Sequence, residues 1–292
     1  MQKNFNLAWR NTSNNQKNLL VQNIRAGKAQ LIKKIIERSN LIKHMSVVIR
    51  LSSVIIENKI LLSNFAENLE ILVDDGLNLI VIHEYGNLLT TQLKLLGIDD
   101  KKYSPHFGDD KLSGLFEMVI SGHINKRIVS KLCSLGVMAI GLSGKDGNLL
   151  VAKKSNHIAI NDSWLYASEP LLVNPEILLA IEDTKIVPII SPVACTDKGK
   201  TAILDTDITS AMAATAVNAN KLIIMCENDF LINNVATLSS VTELNDLLNS
   251  TIEVAVTDPL VKASKYALLN SDVTVQFVNS RKSDALLFAI FD

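Results

Sequence analysis

Two apolar runs, SVVIRL at 46–51 and LNLIVIH at 77–83, each lead into a segment of helical spacing, and this alternation constrains the fold most. It is the strand–helix–strand–helix rhythm of a parallel sheet with helical crossovers. The first helix is predicted over 61–75, ending at Asp75-Gly76, and the second over 87–96. Further along, helices are expected over 110–121 and 124–135, then strands VMAIGL (137–142) and LLVAKK (149–154). A polar stretch with short strands fills 155–173. Helix 174–182 opens on Asn174-Pro175, a cap followed by proline in the first turn. Strand IVPIIS (186–191), a hairpin at Asp197-Lys198-Gly199, helix 207–219 and strand KLIIMC (221–226) follow. Helices 240–249 and 259–269 and strand VTVQFV (273–278) complete the chain. Upstream, residues 1–16 are polar and read as disordered, and apolar spacing over 17–43 predicts one or two helices.

Composition narrows the class. The chain has 292 residues, 48% hydrophobic and 20% charged, which is globular composition. A net charge of -1 with dispersed Lys and Arg offers no electrostatic footprint for nucleic acid. Lys28, Lys33, Lys34, Arg38 and Lys43 are interleaved with apolar residues and read as one face of an amphipathic helix. Cys133, Cys195 and Cys226 stand far apart, which fits a reducing compartment and gives no metal framework. No apolar run is long enough to span a bilayer, and the N-terminus lacks the apolar core of a signal peptide. A cytoplasmic location is therefore expected. Only 12 glycines are present, fewer than the usual ~7% would supply.

In an open parallel sheet, ligands bind beyond the carboxyl ends of the strands. Those positions are 50–53, 83–86, 141–147, 205–207 and 226–230. The block Gly141-Leu-Ser-Gly-Lys-Asp-Gly147 packs three glycines and a lysine into one of them, although Asp146-Gly147 also suits an ordinary hairpin turn. With its surroundings, LFEMVISGHINKRIVSKLCSLGVMAIGLSGKDGNLLVAKK (115–154), it closely resembles the N-acetylglutamate kinases, in which an E-M-V-x-x-G-x-x-N-K helix leads to G-L-S-G-K-D-G. The similarity runs more weakly from strand 46–51 to the end of the chain.

The resemblance implies an α/β amino-acid-kinase fold: a mainly parallel central sheet sandwiched by helices, with two lobes sharing one sheet. Residues 1–44 would be an N-terminal extension, 45–190 the lobe for the acyl-amino-acid substrate and dimerisation, and 191–292 the nucleotide lobe. It implies transfer of the γ-phosphoryl group of ATP, with Mg2+, to the side-chain carboxylate of N-acetyl-L-glutamate in arginine biosynthesis. It also implies a homodimer, with the 17–43 helix as a route to a hexamer. The chain ends at ALLFAIFD without the family's glycine-rich tail, so arginine feedback is not expected.

Motif by motif, the family's K-x-G-G is here Arg50-Leu51-Ser52-Ser53, with Arg50 in the place of a catalytic lysine and Ser52 and Ser53 in those of phosphate-facing glycines. H-G-G-G becomes His83-Glu84-Tyr85-Gly86, which puts Tyr85 and Gly86 beside the substrate and Glu84 where it would repel phosphate. The substrate-pairing arginine of R-x-T-D becomes His106, and N-x-N-A-D becomes Ile203-Leu204-Asp205-Thr206-Asp207. Asp207 matches the aspartate that organises the cations, with Ile203 and Asp205 on the substrate side. Glu227 falls at the nucleotide-side strand end, and Lys262 matches the second catalytic lysine. Three readings stay open: a divergent N-acetylglutamate kinase, a catalytically degenerate binding or regulatory subunit, and a kinase for another acidic substrate.

Overall fold

The computed structural model describes residues 41–97, 110–153, 169–234, 237–249 and 257–291. His106, the short strands expected within 155–168 and the helix expected over 17–40 lie outside them. Residues 41–43, where that helix was expected to end, form turns.

The core is a six-stranded parallel sheet in the order β10-β9-β1-β2-β6-β3. Its strands are β1 (Ser46–Leu51), β2 (Asn78–His83), β3 (Ala139–Ser143), β6 (Val187–Ser191), β9 (Lys221–Cys226) and β10 (Thr274–Asn279). Both faces are covered, which explains why β1 is buried throughout and, after Ser46, reads as an apolar run broken only by Arg50. Val47, Ile49 and Leu51 join one core with Leu69, Ile128 and Leu286, whereas Val48 joins a second with Ala211, Ala214 and Val261. The first face carries α2 (Lys59–Asp74), α5 (Asn125–Ser134) and α11 (Ala285–Phe291). The second carries α7 (Thr206–Ala216) and α10 (Pro259–Asn270). Buried Ala211, Ala213 and Ala214 of α7 and Ala263, Ser264 and Ala267 of α10 are small, so two helices fit over one sheet face.

A smaller sheet, β5-β4-β7-β8, contains β4 (Leu150–Ala152), β5 (Pro170–Val173), β7 (Val193–Thr196) and β8 (Thr201–Ile203). The β7–β8 pair is antiparallel, with Gly199 at φ 73 in its turn, so the predicted hairpin at 197–199 forms. The segment from β3 to β4 is not a hairpin: β3 pairs with β6 in the large sheet and β4 with β5 and β7 in the small one.

Other expectations are corrected. The two helices expected over 110–121 and 124–135 are one run, α4 (Asp110–Glu117) passing through a π-helical segment (Met118–Ile124) into α5. Asn174 does not cap the short helix α6 (Glu176–Ala180): Pro175 holds the N-cap position with no side-chain cap, and the Asn174 side-chain amide donates to the Asn148 carbonyl at 2.6 Å. The sequence reading also missed α1 (Ser53–Glu57), α8 (Asp229–Asn234) and α11. The remaining helices, α3 (Gly86–Leu95) and α9 (Val241–Asn249), stand within about a residue of expectation. No helix among the described residues is long and apolar enough to cross a membrane.

Candidate functional site

The carboxyl ends of β1, β2 and β9 and the N-terminus of α7 converge on one buried cation, Arg50. Burial works against its charge, but Asp207 and then Glu84 outweigh burial and raise its pKa. Arg50 Nε donates to Asp207 Oδ1 at 2.7 Å, and Nη1 donates to the Met225 carbonyl at 2.8 Å. Nη2 donates to Glu84 Oε1. The other Glu84 oxygen, Oε2, accepts from the Ser53 backbone N–H at 2.8 Å. One carboxylate therefore bridges a guanidinium and a backbone amide. Glu84 had been expected to repel an incoming phosphate; instead its charge is neutralised by Arg50, with side-chain exposure of 7% for Arg50 and 27% for Glu84.

The serines do not sit in strained backbone. Ser52 has φ -66 and ψ 143, an extended conformation open to any residue, and its Oγ accepts from Val54 N–H to cap α1. Among the described non-glycine residues with positive φ, neither Ser52 nor Ser53 appears. The backbone there therefore needs no glycine, and Ser52 caps a helical turn. Ser52 Oγ also donates to Glu227 Oε1 at 2.7 Å, which ties the end of β1 to the end of β9.

Gly86, by contrast, has to be glycine. It opens α3 at φ 47, and a Cβ there would lie 2.3 Å from Ser53 Cβ and 2.7 Å from Glu57 Oε1. Glu57, which the sequence reading missed, accepts from the Asn87 N–H at 2.8 Å and so satisfies a donor at the start of α3. Tyr85 is half-buried beside these groups, and burial, then Asp205, raises its pKa.

Asp205 caps α7 by accepting from Asp207 and Ile208 N–H at 2.9 and 3.1 Å. Burial, then Asp207, pushes it up to about 6. Burial likewise pushes the Cys226 thiol up to about 11. His83 is fully buried between the Glu84 carbonyl and the Asn125 amide, and burial pushes it down to about 4. The carbonyl partner requires a proton on Nδ1, so the ring is a neutral structural link between β2 and α5.

Arg50, Ser52, Ser53, Asp207 and Glu227 are therefore brought together, with Tyr85, Gly86 and Asp205 around them. Ile203 is a buried member of the core at the end of β8. Lys262 is exposed on α10, and no hydrogen bond links it to the Arg50 cluster among the described residues. The Glu84 carboxylate marks where a two-oxygen anion sits against Arg50 and Ser53, so these donors fit a phosphoryl group in kind. Among the described residues no group of three His, Cys, Asp or Glu could hold a metal.

The 141–147 block contributes packing. A Cβ on Gly141 would lie 2.0 Å from Asn125 Oδ1, and one on Gly144 would lie 2.6 Å from the Val193 carbonyl oxygen. Lys145 Nζ pairs with Glu117 and donates to Thr201 Oγ1 at 2.7 Å, and Asp146 accepts from the Ser143 N–H at 2.6 Å.

Comparison with known proteins agrees with this architecture. The amino acid kinase family profile matches residues 45–277. The acetylglutamate kinase of Caldanaerobacter subterraneus subsp. tengcongensis is 33% identical over 223 residues, 74% of this chain and 74% of that protein. That of Petrotoga mobilis is 30% identical over 236 residues, 78% of each. Among solved structures, N-acetylglutamate synthase from Neisseria gonorrhoeae, complexed with coenzyme A and N-acetyl-glutamate, superposes with a TM-score of 0.67 at 19% identity. The match takes in 90% of this chain, which spans 60% of the length of that one. Carbamate kinase from Giardia lamblia bound to AMP-PNP gives a TM-score of 0.54 at 13% identity, over 83% of this chain and 94% of that one. At such identities the solved structures show the fold alone. The profile match and the acetylglutamate kinase relatives place the chain in the amino acid kinase family.

Proposed function

We propose that the chain is a phosphotransferase of the acetylglutamate kinase type, passing the γ-phosphoryl group of ATP to the side-chain carboxylate of N-acetyl-L-glutamate. The observation that carries this reading is the Arg50–Asp207 pair at the end of β1, where Arg50 Nη2 and the neighbouring Ser53 N–H converge on one carboxylate. The similarity to acetylglutamate kinases supports the choice of acceptor.

Such a reaction asks little covalent help of the protein, because the acceptor is already a nucleophilic anion and needs no general base. The work is to screen repulsion between two anions and to hold them in line. In this reading Arg50 supplies positive charge to the transferring group and Asp207 holds the guanidinium in place. Ser53 donates its backbone N–H, Ser52 and Glu227 join the phosphate side to the nucleotide side, and Lys262 is the second cation. Tyr85, Gly86, His106, Ile203 and Asp205 border the acceptor. Mg2+ would arrive with the nucleotide and lower its charge. Residues 45–190 would hold the acceptor and the dimer contact, residues 191–292 the nucleotide, and an N-terminal helix would extend a dimer to a hexamer in the cytoplasm.

A coupled assay with ATP, Mg2+ and N-acetyl-L-glutamate tests the reading directly. Turnover is expected, with Arg50→Ala lowering kcat more than it raises KM. No turnover and no calorimetric nucleotide binding would sink it, and turnover on another carboxylate alone would reassign the acceptor. A second reading, a non-catalytic binding or regulatory subunit, is favoured by one observation: Glu84 already takes the donors that phosphate would need.

A further inference from the structure

The Glu84 carboxylate has the partners of a bound ligand. Its two oxygens divide between Arg50 Nη2 and the Ser53 N–H, which come from β1 and the first residue of α1. This is how a phosphoryl or carboxylate group from outside would be held: one charged donor, one backbone donor, two oxygens. Arg50 does not depend on this contact alone. Arg50 keeps Asp207 at 2.7 Å and the Met225 carbonyl at 2.8 Å without it. Glu84 follows the last residue of β2, and its side chain is 27% exposed, so it stands at the rim and has solvent to turn into. A second carboxylate behaves alike next door: Glu57 takes the Asn87 N–H at the start of α3.

We propose that Glu84 is an internal occupant of the site's anion position, so that a phosphate-bearing ligand binds only by displacing its carboxylate from Arg50 and Ser53. The phosphotransferase reading supplies only the identity of the natural ligand. The displacement itself follows from the donors being shared, since one guanidinium N–H and one amide cannot serve two anions at full strength. A ligand with several phosphate oxygens outcompetes the single carboxylate, whereas a lone carboxylate ligand gains little over the one already present.

The test is calorimetric titration of the full chain with inorganic tripolyphosphate, for wild type, Glu84→Ala and Glu84→Gln. Both variants are expected to bind the probe at least about tenfold more tightly than wild type, since a competing charge is gone. Glutamine matches glutamate in size, so it separates charge from bulk and also decides the matter if the alanine variant does not fold. Unchanged or weaker binding by Glu84→Gln overturns the proposal, as does tightening in Glu84→Ala alone. Wild-type turnover of N-acetyl-L-glutamate with no tightening in the variants sinks this inference and spares the kinase reading. Tightening without any turnover does the reverse.

Discussion

The chain treats its glycine motifs in two opposite ways. In the 141–147 block, Gly141 and Gly144 are pressed against Asn125 and the Val193 carbonyl, and any Cβ would collide at 2.0 and 2.6 Å. At the ends of β1 and β2, Ser52, Ser53 and Glu84 stand where the motif resemblance would put glycines: Ser52 caps a helix and Glu84 pairs with Arg50. Glycines demanded by packing are held by the whole tertiary structure, so they report ancestry and fold. Positions that face a ligand answer only to that ligand and to a few neighbours. A charged residue can occupy such a position when a neighbour offers a partner, as Arg50 does for Glu84.

The largest effect expected on either side of this contrast is at Arg50. Arg50→Met leaves Asp207 and Glu84 facing each other with no cation, and should cost about 3–5 kcal/mol in urea unfolding. A loss below about 1 kcal/mol would mean the cluster is far wetter than its burial implies. Next is Gly144→Ala, whose Cβ meets backbone that cannot swing aside; about 1–3 kcal/mol of destabilisation is expected. Neutral behaviour there would dissolve the contrast, because the block would then be no more constrained than the loops.

A third probe is pH. Asp205, raised to about 6 from 3.8, is protonated in the native chain where the unfolded chain has lost the proton. Its contribution therefore falls as pH rises from 3.8 to 6. His83, lowered to about 4 from 6.5, works in the other direction: the unfolded chain binds the extra proton, so stability rises with pH from 4 to 6.5. Each slope is at most about 1.4 kcal/mol per pH unit, and the two oppose each other over their shared window. These two contributions should largely cancel between pH 4 and 6, and Asp205→Asn, which keeps a capping oxygen, should steepen the rise of stability with pH there. Parallel urea midpoints for the two proteins across this range would refute the assignment.

The smallest effects belong to the serines and to Lys262. Ser52→Gly forfeits a cap and the bond to Glu227, about 1 kcal/mol, and should not tighten phosphate binding, because the backbone at 52 needs no glycine. Tighter tripolyphosphate binding by this variant would show that the serine side chain at 52 hinders phosphate approach. Lys262→Ala should stay within about 0.5 kcal/mol of wild type in stability, while a drop in kcat alone would give the exposed lysine a catalytic role.

These differences follow the limits of what the sequence discloses. Strands β1, β2, β6, β9 and β10 were legible because their short, mostly apolar runs are rich in valine, isoleucine and phenylalanine and are bounded by helical spacing. The Arg50 and Asp207 positions were legible through motif resemblance. The helix α1 was not, because SVIIE is a short apolar run that periodicity cannot separate from a strand. The π-helical passage from α4 to α5 was lost to Ser121-Gly122, which reads as a break although the helix continues through it. Glu84 was only half legible. Its charge was weighed against an absent phosphate, whereas the partner that decides its role is Arg50, brought to it across two adjacent parallel strands.

The pairing of β1 carries a consequence for how the chain comes to be folded. Val47 registers with Lys221, so the strand at the middle of the sheet keeps one edge open until a partner some 174 residues later is in place. Closing so long a loop is slow, and an exposed apolar edge in a partly made chain is an invitation to aggregate. Amide protons of β1 facing β9 should therefore gain protection only when β9 does during refolding, late and together, whereas those facing β2 gain it early.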